Sequence, residues 1–127
     1  MNTESRNPIR ALCIVREDIL DIIQFFLKRE GLQVITAVDG HKGLEIARVE
    51  QPDVVILDEL TPGIDGFKVY TTMKGDVTLQ QIPIVFLESG RVLNPPLWAA
   101  NSKDILTRAP LDFKQLIATI KQMTRAQ

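Results

Sequence analysis

Hydrophobic residues in this chain fall into two alternating kinds of run. Ala11–Val15, Val34–Val38, Val54–Leu57, Ile84–Leu87 and Ile105–Leu106 are short, continuous and rich in Val and Ile. Such runs predict strands buried on both faces. Between them, apolar residues recur at helical spacing. Ile19, Ile22, Ile23, Phe26 and Leu27 form one stripe, with Gly31 as its stop. Leu44, Ala47 and Val49 form a weaker one before Pro52, and Phe67, Tyr70 and Met73 a third that ends near Gly75. Phe113, Leu116, Ile117, Ile120 and Met123 form the last and strongest. Ser89–Lys103 breaks the rhythm, because Pro95 and Pro96 sit inside it and proline disrupts a helix interior. A short helix over Pro96–Asn101, with Trp98 covering the sheet, is expected there.

Strand and helix thus alternate about five times, which predicts an α/β fold: a parallel sheet with helices on both faces. Crossovers are right-handed, and five strands favour the flavodoxin-like (βα)5 three-layer sandwich with order 2-1-3-4-5 and a short or degenerate fourth helix. The 127 residues suit one domain, read as 9–124 between polar tails at 1–8 and 125–127.

Composition narrows the functions. A net charge of −1 leaves no electrostatic footprint for nucleic acid or an anionic membrane. Cys13 is the only cysteine and His41 the only histidine, so disulfides, Cys-rich metal motifs and a Ser-His-Asp triad lack partners. Cys13 lies in an apolar run and reads as core; His41 reads as a solvated helix residue. The polar start, Met1–Arg10, has no signal-peptide character, and no apolar run is long enough to span a bilayer, so a cytoplasmic protein is expected.

In an open parallel sheet, ligands bind outside the carboxyl ends of the strands, at the switch point between strands one and three. Arg16, Glu17 and Asp18 follow strand one; Asp58 ends strand three and Glu59 follows it. Charged residues after strands are also common as solvated loop residues. An FMN-type site would need a Ser/Thr/Gly-rich phosphate loop after strand one, which Arg16-Glu17-Asp18 is not.

The segment from Pro52 to Gly66, PDVVILDELTPGIDG, carries the specific signal. It resembles the signature of response-regulator receiver domains, and the likeness runs from about Ile9 to Met123. The resemblance implies that Asp58 is the phosphoacceptor, with Pro62 and Gly63 in the following turn and Asp65 capping the third helix. It implies a module of two-component phosphorelay signalling that accepts a phosphoryl group from a histidine kinase or phosphotransfer protein and acts on a downstream protein partner. Beyond self-phosphorylation and slow autodephosphorylation, it implies no enzyme. It also implies Mg²⁺, with Glu17, Asp58 and the Leu60 backbone carbonyl as ligands and Asp18 as an alternative ligand or a cap for helix one.

Several positions depart from the family pattern. After strand one, Arg16 stands where an acid is expected. Glu88 occupies the Thr/Ser position ending strand four, with Ser89 one residue out of register. Arg108 occupies the lysine position ending strand five, and Ile105 replaces the usual aromatic of that strand. An ionised carboxylate at Glu88 cannot donate a hydrogen bond to a phosphoryl oxygen. Arg16 or Arg108 could take the place of the metal. Two readings therefore stand open: a phosphorylated receiver, and a phosphorylation-independent pseudo-receiver that acts as a constitutive interaction module. In either, output passes through a surface, in the family commonly the fourth helix, fifth strand and last helix.

Overall fold

The computed structural model describes residues 8–61, 63–88, 105–108 and 112–125. Within them, β1 (Arg10–Ile14), α1 (Glu17–Arg29), β2 (Gln33–Ala37), α2 (Gly40–Glu50), β3 (Val54–Asp58), α3 (Gly66–Lys74), β4 (Ile84–Glu88), β5 (Ile105–Arg108) and α4 (Phe113–Arg125) follow one another. The five strands form one parallel sheet in the order β2-β1-β3-β4-β5, as the alternating pattern predicts. The helix expected around Pro96–Asn101, Trp98 within it, and the Pro62 turn position lie outside the described residues.

Strand period divides the core in two. Leu12, Ile14, Val55, Leu57, Ile84 and Phe86 face α2 and α3 and pack with Leu44, Ala47, Val69, Tyr70 and Met73. Ala11, Cys13, Val54, Ile56, Val85 and Leu87 face α1 and α4 and pack with Ile23, Leu27, Leu116, Ile117 and Ile120. Each fully buried aliphatic side chain contributes roughly 1.5–3 kcal/mol. Phe26 of α1 stacks on Phe113 of α4, with centroids 4.6 Å apart. The Cys13 thiol is buried in this layer, and burial pushes its pKa up to about 12, consistent with a core residue.

Four local expectations are revised. The edge strand β2 is only partly covered, because it has a neighbour on one side alone; it ends at Ala37, and Val38 is exposed. Val49 is 79% exposed, which narrows the α2 stripe to Leu44 and Ala47. Ile22 turns outward on α1, where Ile23 and Leu27 occupy the buried line. Asp18 does not cap α1. The N-cap is Arg16, whose side chain makes no capping hydrogen bond, and Asp18 lies in the first turn. Asp65, by contrast, caps α3 as read: its Oδ1 accepts from the Lys68 amide at 3.0 Å. Gly31 stops α1 with φ +89°, and Gly63 turns the chain after β3 with φ +90°, conformations that favour glycine. His41 lies exposed on α2, as the sequence implies.

Candidate functional site

The register of the sheet fixes which residues meet at its carboxyl edge. Ile14 of β1 pairs with Leu57 of β3, so Arg16 and Glu17 leave β1 beside the end of β3, where Asp58 stands. Asp58, the last residue of β3, pairs with Leu87, and Glu88 and Arg108, the last residues of β4 and β5, pair with each other. Topology therefore brings the backbone positions of Arg16, Glu17, Asp58, Glu88 and Arg108 to one rim. Strand alternation turns Asp58 toward the α1 and α4 face, the face that Val54 and Ile56 share.

Asp58 is 2% exposed. A carboxylate taken out of water needs partners. Its Oδ1 accepts from the Leu60 amide at 3.0 Å. Its Oδ2 accepts from the Arg16 amide at 3.2 Å and lies 3.2 Å from Arg16 Nε. Residue 16 thus meets the acid with both backbone and side chain. Arg16 Nε is also 3.3 Å from Asp18 Oδ1, an exposed carboxylate in the first turn of α1. Although these separations make ion pairs, Nε is a buried atom with no hydrogen-bond partner. Neither oxygen lies along its N–H. The attraction is one of charge, and the donor itself is unsatisfied.

The frame behind Asp58 is tied together by hydrogen bonds. Thr61 Oγ1 donates to the Asp58 main-chain oxygen at 2.9 Å, inside the structure. The Glu59 amide donates to the Leu87 carbonyl at 3.1 Å, and the Gly66 amide to the Glu59 carbonyl at 3.0 Å. A Cβ on Gly66 would meet the Asp58 carbonyl oxygen and come within 2.8 Å of Glu59 Cα, so α3 can start against β3 only with glycine there. Sequence reasoning missed Thr61 and this role of Gly66. The signal for Gly66 was present in Asp65-Gly66, a capping residue followed by one without a side chain.

Glu17 opens α1 at this rim with an exposed side chain, and Leu60 is 42% exposed. The side chain that reaches Asp58 is that of Arg16. The side chains of Glu88 and Arg108, and Ser89 altogether, lie outside what is described, so these positions are placed by backbone register alone. Among the described residues, no three His, Cys, Asp or Glu side chains gather into a metal-binding group, and no helix is long and apolar enough to cross a membrane.

Comparison with known proteins adds an independent line. A profile of the response regulator receiver domain matches residues 16–121. The chain is 33% identical over 120 residues to the response regulator PleD of Caulobacter vibrioides, covering 91% of this chain and 26% of PleD. It is 32% identical over 96 residues to the protein PilH of Pseudomonas aeruginosa, covering 74% of this chain and 78% of PilH. The chain thus spans about a quarter of PleD. Its fold is similar to that of the receiver domain of the sensor histidine kinase PA1611 of Pseudomonas aeruginosa, solved with a magnesium ion in its active site cleft. That likeness has TM-score 0.80 and 16% identity, covering 93% of this chain and 98% of the other.

Proposed function

This chain belongs to the response-regulator receiver family, and from that premise we propose that Asp58 is the acceptor of a phosphoryl group in two-component signalling. The observation that carries the reading is the position of Asp58: a buried carboxylate ending the central strand, its oxygens held by the Arg16 and Leu60 amides at the sheet's carboxyl edge. A fixed carboxylate at such a switch point is a positioned nucleophile.

In the proposed step a carboxylate oxygen of Asp58 attacks the phosphorus of a phosphohistidine. An O–P bond forms, the N–P bond breaks, and the leaving imidazole keeps the electron pair and takes up a proton. The donor is a histidine kinase or a phosphotransfer protein, and the readout is contact with a downstream protein. Slow hydrolysis of the acyl phosphate would reset the module. Glu88 and Arg108, adjacent at the ends of β4 and β5, are the positions that would sense the added group. Magnesium, which the PA1611 domain holds in its cleft, is what the family resemblance would place on Asp58, Glu17 and the Leu60 carbonyl; in this chain Arg16 stands in contact with Asp58 Oδ2, and Arg16 and Arg108 are the cations offered to the transferring oxygens. The family match favours this reading over a constitutive interaction module.

The test is direct. The protein is incubated with a small acyl phosphate and Mg²⁺, and its intact mass is measured. One phosphoryl increment is expected in the wild type and none in Asp58→Ala. An increment that survives Asp58→Ala, or none in the wild type, would refute the assignment.

A further inference from the structure

Receiver chemistry needs positive charge beside the acceptor carboxylate, and a bound divalent ion is one way to bring it. In this chain a different cation is already there. Arg16 Nε is 3.2 Å from Asp58 Oδ2, and the Arg16 amide binds the same oxygen. A divalent ion at that oxygen would face the Arg16 guanidinium at contact distance, a like-charge encounter in a partly water-excluded place. Asp58 Oδ1 already accepts from the Leu60 amide, so both oxygens of this carboxylate face N–H donors. The described donor set does not fit a divalent ion at Asp58.

We propose that Arg16 is the resident cation of the Asp58 site, taking the role of a divalent metal and receiving the oxygens of the phosphoryl group. The role in phosphoryl transfer rests on Asp58 being the acceptor; the exclusion of metal does not.

Two features beyond distance support this. Arg16 Nε is buried yet donates to nothing, although two carboxylate oxygens lie within 3.3 Å. A buried donor left over in this way is uncommon, and it is matched by what a phosphoryl group on Asp58 would bring, namely new anionic acceptors close to the same nitrogen. The guanidinium also presents several donors in a fixed plane, which suits a tetrahedral oxyanion. Secondly, the residue is held by its own backbone. Arg16 is the N-cap of α1, and its carbonyl accepts from Ile19 and Leu20 at 3.2 and 3.1 Å. Its place is therefore set before any ligand arrives. Asp18 Oδ1, 3.3 Å away, balances the charge from the solvent side. In the balanced transfer from an acyl phosphate, the Asp58 oxygen forms its bond to phosphorus as the donor's O–P bond breaks. The donor carboxylate leaves with the electron pair, and no metal or proton is required.

The experiment has two arms on the full chain, with Arg16→Ala and Arg16→Gln, the latter keeping a stem and carrying the test if the alanine variant fails to fold by circular dichroism. In the first arm, Mn²⁺ is titrated and the amide signals of Leu60 and Thr61 are followed by NMR. They should persist in the wild type and be selectively broadened in the variants, at roughly tenfold or more lower Mn²⁺. Selective broadening in the wild type at the same or lower Mn²⁺ than in the variants would overturn the proposal. In the second arm, acetyl phosphate labelling is compared with and without a chelator. Wild-type labelling should be nearly indifferent to chelation, whereas any labelling of the variants should depend on added Mg²⁺. Wild-type labelling abolished by the chelator would also overturn it. If no protein is labelled under any condition, Asp58 as acceptor fails, and the Mn²⁺ arm still decides whether Arg16 keeps metal out.

Discussion

Two arginine–aspartate pairs in this molecule have nearly the same length and opposite characters. Arg48 Nε meets Asp76 Oδ2 at 3.1 Å at the end of α3, and Arg16 Nε meets Asp58 Oδ2 at 3.2 Å at the end of β3. Each aspartate also accepts, through Oδ1, the amide two residues on, from Thr78 at 2.8 Å and from Leu60 at 3.0 Å. There the likeness ends. Arg48 donates a proper hydrogen bond, and Thr78 Oγ1 adds another at 2.7 Å, so Asp76 is satisfied within a surface turn. Asp58 is buried, its nearby threonine hydroxyl is spent on a main-chain oxygen, and its arginine donates no hydrogen bond through Nε. A pair made for structure completes its hydrogen bonds. The pair at Asp58 sets a charge beside a buried carboxylate and leaves the Nε donor unused, an arrangement that suits the proposed acceptor.

This contrast can be broken at several places. The largest effect is expected at the glycine packed against the Asp58 backbone, with the glycine beside Asp76 as its counterpart. Gly66→Val should cost about 3 kcal/mol or unfold the protein in urea, since the new side chain enters the Asp58 and Glu59 backbone. Gly75, next to Asp76, has φ −90° and a nearest backbone oxygen 3.4 Å from a Cβ, so Gly75→Ala should be within about 0.5 kcal/mol of wild type. Next, Arg16→Ala leaves a buried carboxylate unpaired and should cost about 2 kcal/mol. That is below the range for a fully buried pair, because the Arg16 side chain is 37% exposed. Adding Asp58→Asn should restore most of this loss, which a mere packing defect would not allow. Arg48→Ala, at the surface, should cost about 0.5 kcal/mol or less, and less still in high salt. The smallest effect is on pH. The Thr78 side chain, the Thr78 amide and Arg48 hold the Asp76 carboxyl below its ordinary 3.8. Its stabilising contribution is thus present above that ordinary value and is lost as pH falls through the lower folded one. Wild type and Asp76→Asn should differ in thermal midpoint at neutral pH and converge in strong acid.

Much of the frame was legible because burial on both faces writes itself as unbroken apolar runs. Val54-Val55-Ile56-Leu57 could hardly be anything but a central strand, and its length placed Asp58 at the sheet edge. The edge strand was read less well, since Val38 continues the apolar run but lies beyond the last pairing with β1. The strand-end aspartate proposed as acceptor, the cap at Asp65 and the family itself were all read from one string of residues. Side-chain choice did not follow. That Arg16 rather than Glu17 reaches Asp58 depends on where the chain leaves β1 and on a rotamer, neither of which has a sequence period. The burial of Glu59, 1% exposed, was also invisible, because a charged residue after a strand usually reads as solvated. Thr61 gave no warning, as a hydroxyl that closes on a backbone carbonyl leaves no pattern.

The central claim is that residue 58 is where the phosphoryl group arrives. Reduction of the acetyl phosphate-treated protein with borohydride converts an aspartyl phosphate to homoserine, and peptide mass spectrometry then locates the change. The account predicts conversion at Asp58 alone; conversion at Glu59, Asp65 or any other acid instead, with Asp58 intact, would contradict it.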